Sequence, residues 1–157
     1  MHPYEARLTW TGNTGSGTTA YHAYERSYEL RFAGKAEALR GSSDPRFRGD
    51  PARYNPEEML LGSLAACHML WYLHLCAEAG VVVITYEDTP TGRMRIEADG
   101  GGRFEEVLLR PVVTLAAGSP TAPAETLHGA ANARCFIANS CNFPVRHIAT
   151  VLVAQKK

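Results

Sequence analysis

Four cysteines, Cys67, Cys76, Cys135 and Cys141, and six histidines are the residues of this 157-residue chain best suited to nucleophilic, redox or metal chemistry. No pair of cysteines has the Cys-x-x-Cys spacing of a structural zinc site. A metal site built from His68, His74 and a cysteine likewise lacks a recognised spacing. Two chemical readings of the thiols remain. A cysteine on an apolar helix can pack as a small hydrophobe. Alternatively, two thiols far apart in the chain can meet in space and form a reversible disulfide, one of them attacking as the thiolate.

The elements that must position these thiols can be read from pattern. Residues 55–80 form one long helix: Asn55 caps it, Pro56 fits the first helical position, Glu57 and Glu58 place negative charge at the positive end of the dipole, and Gly80 stops it. Leu60, Leu64, Cys67, Trp71 and His74 recur at helical spacing. Leu61, Met69, Leu70, Leu73 and Leu75 make most of the remaining surface apolar, the pattern of a buried helix. Cys67 stands at its middle, beside the small residues Gly62, Ser63, Ala65 and Ala66, which allow another segment to approach closely. Gly118-Ser119-Pro120 opens a second helix over about residues 121–134, and Cys135 falls at its end. Cys76 lies nine residues beyond Cys67, on the other side of the first helix, and reads as packing.

Strands account for the rest. Residues 4–11 partly alternate and are followed by a glycine-rich turn that lacks the lysine-serine pair of a phosphate loop. Residues 24–32 alternate as a second strand, and 36–39 return as a third. The proline-punctuated loop 41–51 leads to the helix cap; Arg26, Arg31, Arg40, Arg46 and Arg48 crowd this approach. After Gly80 come strands over 81–86, 93–98 and 104–115, the last holding Pro111, which demands an edge, a bulge or a break. A closing strand covers 148–154. Strands and helices grouped in this way predict a single α+β domain over residues 1–157, with a largely antiparallel sheet.

Composition sets the outer bounds. A hydrophobic content of 45% in 157 residues suffices for one core. Sixteen basic and sixteen acidic residues cancel, so no basic excess points to nucleic acid. The start Met1-His2-Pro3-Tyr4-Glu5 lacks the apolar stretch of a signal peptide, and no apolar run of about eighteen residues escapes polar interruption. A cytoplasmic protein with no membrane partner is expected, in which four cysteines do not form a structural disulfide framework.

The run Asn55-Pro56-Glu57-Glu58, followed by Ala65-Ala66-Cys67 and by a helix from His128 ending at Cys135, resembles the family of osmotically inducible protein C and organic hydroperoxide resistance proteins. The resemblance spans essentially the whole chain. It implies antiparallel sheets packed around a long central helix, an intertwined homodimer with its active sites at the subunit interface, and no cofactor. It also implies a thiol peroxidase acting on organic hydroperoxides. Cys67 matches the attacking cysteine, which becomes a sulfenic acid, and Cys135 matches the cysteine that condenses with it to a disulfide. A dithiol reductant, in the family often a lipoyl protein, restores both thiols. Glu57 matches the carboxylate that orients an active-site arginine, for which Arg26 is the first choice and Arg46 and Arg48 are rivals.

Chemistry supports an arginine in this role. A thiol near pKa ~8.5 is mostly protonated at neutral pH, and a permanent cation able to fork between sulfur and carboxylate favours the thiolate. Ten helical residues separate Glu57 from Cys67 by about 15 Å, so the two cannot touch directly; either the arginine bridges them or the helix bends or begins late near Gly62-Ser63. The chain departs from the family pattern at His68, where better-known subgroups have Phe, and after Cys135, where Phe136-Ile137-Ala138 replaces Pro-Tyr-Ser or Pro-Val-Ser. His68 reads as a local proton donor or acceptor, or as a histidine satisfied by its neighbours. Cys141 is a rival partner for either cysteine. The competing function is a non-catalytic domain of the same fold that binds a small apolar ligand.

Overall fold

The computed structural model describes residues 2–155. Its strands are β1 (Ala6–Trp10), β2 (Tyr28–Phe32), β3 (Leu39–Gly41), β4 (Val83–Asp88), β5 (Thr91–Ile96), β6 (Gly102–Leu109), β7 (Pro111–Leu115), β8 (Val145–His147) and β9 (Thr150–Val153). The helices are α1 (Pro56–Glu78), α2 (Thr121–Arg134) and the short α3 (Phe136–Asn139). The class is α+β, as expected. Two compact units divide the chain, residues 1–60 and residues 61–157; α1 begins at the end of the first and continues into the second.

In the first unit β1, β2 and β3 form an antiparallel sheet. Tyr28 pairs with Gly41, and a Cβ at Gly41 would lie 2.2 Å from the Tyr28 ring, so only glycine allows the ring to close over the strand. The expected strand over 24–32 is shorter at its start. Arg26 donates to the carbonyls of Tyr21 and Tyr24 and sits over both their rings, at 4.3 and 4.1 Å from the centroids, beside the turns of 21–24, and 25–27 bond irregularly to Thr11 and Gly12 before regular pairing starts at Tyr28.

A reciprocal cap starts α1: Asn55 Oδ1 accepts from the Glu58 N–H at 2.9 Å, and Glu58 Oε2 accepts from the Asn55 N–H at 3.1 Å. Gly80 ends it with φ +69°, a conformation glycine adopts without penalty. The helix passes through Gly62-Ser63 without interruption.

The second unit holds two mixed sheets, ordered β4-β7-β9 and β5-β6-β8. Pro111 has no N–H to donate, and the long strand expected over 104–115 breaks beside it into β6 and β7, one in each sheet. The expected closing strand is β9, and an unexpected short β8 precedes it; β8 and β9 pair in parallel with β6 and β7. The core joins Tyr72, Leu75 and Cys76 of α1 to Val81, to Val113 and Leu115 of β7 and to Ala124 and Ala131 of α2.

One expectation fails: α1 is not buried all round. By length and composition it is apolar enough to cross a membrane, yet only Leu64, His68, Tyr72, Leu75 and Cys76 are buried within the chain. Leu70 remains 63% exposed. Nearly uniform greasiness hides which face meets the chain's own core.

Candidate functional site

Cys67 and Cys135 meet within the second unit. Cys67 is half-buried near the middle of α1, while Cys135, at the junction of α2 and α3, is 1% exposed; both are free thiols. The chain turns at Cys135, whose sulfur accepts the Ala138 N–H at 3.4 Å and so caps α3. Burial first, and then a side-chain hydrogen bond with Cys67, push the Cys135 thiol up to about 11, so it holds its proton at neutral pH. The arrangement presents a protonated Cys135 to a more accessible Cys67. Cys141 donates to the Ile137 carbonyl at 3.3 Å, and Cys76 is buried against Tyr72 in the core.

α2 supports this meeting with a narrow stripe. Its buried residues are Ala124, His128 and Ala131, with Cys135 following at the same spacing. Around them Tyr72 Oη donates to the Ala124 carbonyl at 3.0 Å, and Phe136 meets Trp71 edge to face at 5.7 Å.

His68, whose role the sequence left open, belongs to a buried imidazole cluster. Its Nε2 lies 3.1 Å from Nδ1 of His128, one donating to the other, and both rings are at most 1% exposed. His128 stacks face to face on Tyr72 at 3.8 Å, and His147 of β8 stands 5.4 Å from the His68 ring. Burial first, and then neighbouring imidazoles, lower His68 to about 4 and His128 to about 3, so both are neutral at pH 7. Nδ1 of His68 and Nε2 of His128 are buried without partners. His74, by contrast, pairs with Glu78 at 3.5 Å on an exposed face of α1. Among the described residues no group of three His, Cys, Asp or Glu is arranged to hold a metal ion. Nothing in the sequence pattern linked His128 to His68; only the α2 stripe brings them together.

The first unit gathers Glu57, Tyr28 and Arg46. Glu57 Oε2 and Tyr28 Oη are both buried without partners. Burial, and secondarily the charge of Glu57, raise the Tyr28 phenol. Arg46 forms a forked contact with Asp44, at 3.2 Å from each carboxylate oxygen, and Glu57 adds to the field that keeps it charged. Arg26 makes no ion pair with Glu57 among the described residues; its guanidinium is engaged by Tyr21 and Tyr24. Arg48 ends the turn at 45–47 in the left-handed conformation, φ 63°. Tyr28 was not singled out by sequence pattern, and its pairing with Gly41 is the only local sign of its fixed place.

An OsmC-like protein of unknown function from Vibrio cholerae shares 28% identity, with a TM-score of 0.84 over 95% of this chain and 99% of that one. An OsmC-like protein from Mycoplasma pneumoniae is 13% identical with a TM-score of 0.74, over 96% and 98% of the two chains. An organic hydroperoxide resistance protein from Legionella pneumophila is 16% identical with a TM-score of 0.69, over 97% and 98%. These last two show the fold alone. No curated protein matches the chain. The model of the family described as OsmC-like protein matches residues 49–148, a span that holds both Cys67 and Cys135, and the chain belongs to that family.

Proposed function

We propose that the protein is a thiol peroxidase that reduces organic hydroperoxides to alcohols. The observation that carries this reading is the meeting of two free thiols, Cys67 and Cys135, from distant parts of the chain, one accessible and one buried with its proton retained. The Cys67 sulfur attacks an oxygen of the hydroperoxide; the O–O bond breaks, the alcohol leaves with a proton, and Cys67 becomes a sulfenic acid. Cys135 then attacks that sulfur. The S–S bond forms, the S–O bond breaks, and the hydroxide departs as water with the Cys135 proton. A dithiol reductant, such as a lipoyl group on a protein, regenerates both thiols by exchange. The family relationship and the Legionella pneumophila neighbour's description as a hydroperoxide resistance protein support the substrate class.

The family resemblance implies that Glu57 and an arginine favour the attacking thiolate. Because Glu57 acts on Arg46 and Arg26 is held by tyrosines, Arg46 stands beside Arg26 for this role. Comparing Arg26→Gln, Arg46→Gln and Arg48→Gln decides it: loss of the serving arginine slows peroxide reduction about a hundredfold, and loss of either other changes it little. The reading as a whole is tested by Cys67→Ser, assayed for consumption of cumene hydroperoxide with dihydrolipoamide. Turnover disappears if Cys67 is the nucleophile, and undiminished turnover refutes the assignment.

A further inference from the structure

The His68–His128 pair has no part in the chemistry just described, yet its geometry is specific. With the two nitrogens 3.1 Å apart and the ring planes within 6°, centroids reach a separation of 5.4 Å only when each ring points its nitrogen straight at the other. The contact is therefore a linear N–H···N bond between edge-on imidazoles. It leaves no space between them for a metal ion. Each neutral imidazole carries one N–H and one lone pair, so the shared bond uses a donor from one ring and an acceptor from the other. The two outer nitrogens stay unpaired. An apolar pair would avoid that penalty, so stability alone does not account for two histidines here.

What the bond does supply is direction. The rest of the buried stripe of α2 consists of Ala124 and Ala131, whose methyl groups carry no direction of their own; besides the imidazole pair, the Tyr72 hydrogen bond to the Ala124 carbonyl fixes α2 nearer its start, away from Cys135. His128 is gripped in two perpendicular ways, by the Tyr72 face at 3.8 Å and by His68 in the plane of its own ring. Both gripping residues lie on α1, and His68 is the residue next to Cys67. Two turns beyond His128, α2 ends at Cys135, whose thiol must meet Cys67.

We propose that His68 and His128 are positioning residues: their hydrogen bond sets the register of α2 along α1 and thereby holds the Cys135 sulfur against Cys67. The inference rests on the peroxidase reading for its purpose, but it concerns the proximity of two thiols and can be tested without any peroxide. The bond keeps the resolving thiol at a high effective concentration, so a sulfenic acid on Cys67 is captured before a second hydroperoxide oxidises it further.

The test uses the full chain equilibrated in glutathione redox buffers, with the fraction of Cys67–Cys135 disulfide read by thiol blocking and peptide mass mapping. His128→Phe keeps a ring for Tyr72 and removes the bond. The double variant His68→Leu with His128→Phe also removes both orphaned nitrogens, so it is expected to melt above the single variant. In both, the effective concentration of one thiol at the other falls at least about tenfold, since small displacements of reacting groups carry large penalties. The double variant thus separates placement from packing. An effective concentration unchanged in the folded variants, or one restored in the double variant together with its stability, overturns the proposal. Absence of peroxide turnover in the unaltered protein would instead strike the peroxidase reading and leave this equilibrium measurement standing.

Discussion

Cys135 and His68 illustrate two ways in which burial acts on a single residue. For Cys135 it keeps the proton on sulfur, so that at neutral pH the thiol waits for an electrophile on its neighbour. Replacing Cys135 by Ser should leave Cys67 able to react once but without its intramolecular partner. A Cys67 sulfenic acid should then accumulate, detected as a dimedone adduct that the unaltered protein forms only in trace. For His68 burial disfavours the cation, lowering its folded value to about 4 from an ordinary value of 6.5. The unfolded chain therefore binds the proton more readily, and the stability this residue contributes is complete above pH 6.5 and is lost as the pH falls towards about 4. A shift of that size corresponds to about 3 kcal/mol. Urea titrations at pH 7.5, 6 and 5 should show it, and His68→Leu should reduce the dependence to the part that His128 and His147, lowered by the same burial, still contribute. The sequence singled out Cys67 and Cys135 because thiols on two separate helices carry chemistry, and Glu57 through the family resemblance. His128 and Tyr28 escaped because their importance comes from what the fold sets beside them: an imidazole on another helix, and a glycine across a strand pair.

The elements that were legible have local causes. Asn55 and Glu58 cap α1 by bonding each other's N–H groups, and Gly80 leaves the helix through a left-handed turn; both signals lie within a few residues of the boundary they set. Asn55→Ala should cost about 1 kcal/mol by urea denaturation, because the Glu58 N–H loses its acceptor. α2 was equally readable, from Gly118-Ser119-Pro120 to Cys135. Pairing was not. The final strands lie parallel to β6 and β7, and the break near Ile148 follows from a change of sheet that no alternation within 145–154 encodes. Arg26 bonds the carbonyls and covers the rings of Tyr21 and Tyr24 in the turns of 21–24, and β2 begins only at Tyr28 although the alternation reads as strand from Tyr24. Between α1 and α2, Tyr72→Phe removes one directional bond, to the Ala124 carbonyl, and should cost about 1 kcal/mol without changing the apolar fit.

On the scale of the whole molecule, the apolar surface left uncovered is large. Leu70 on α1 is 63% exposed, Leu8 on β1 65% and Ile84 on β4 56%; the whole of β1 is exposed. Exposure of large apolar side chains in both units suits association, and we expect a homodimer, as the family resemblance implies. Sedimentation equilibrium should report twice the 17.1 kDa chain mass, and Leu70→Glu should shift the population towards monomer. A monomer at micromolar concentration would remove the dimer from the account. Sequence pattern showed the greasiness of α1 but not its allocation, because a helix apolar on every side carries no record of which face meets its own chain.

The central claim, that Cys67 and Cys135 form one redox unit, is met most directly by adding one equivalent of cumene hydroperoxide to the fully reduced protein. Remaining thiols are then blocked and the disulfides mapped by mass spectrometry. If the two cysteines do form such a unit, one alcohol forms, two thiols are lost and a single new bridge joins residues 67 and 135. An untouched Cys67, or a bridge from Cys67 to Cys141 with Cys135 still free, would contradict it.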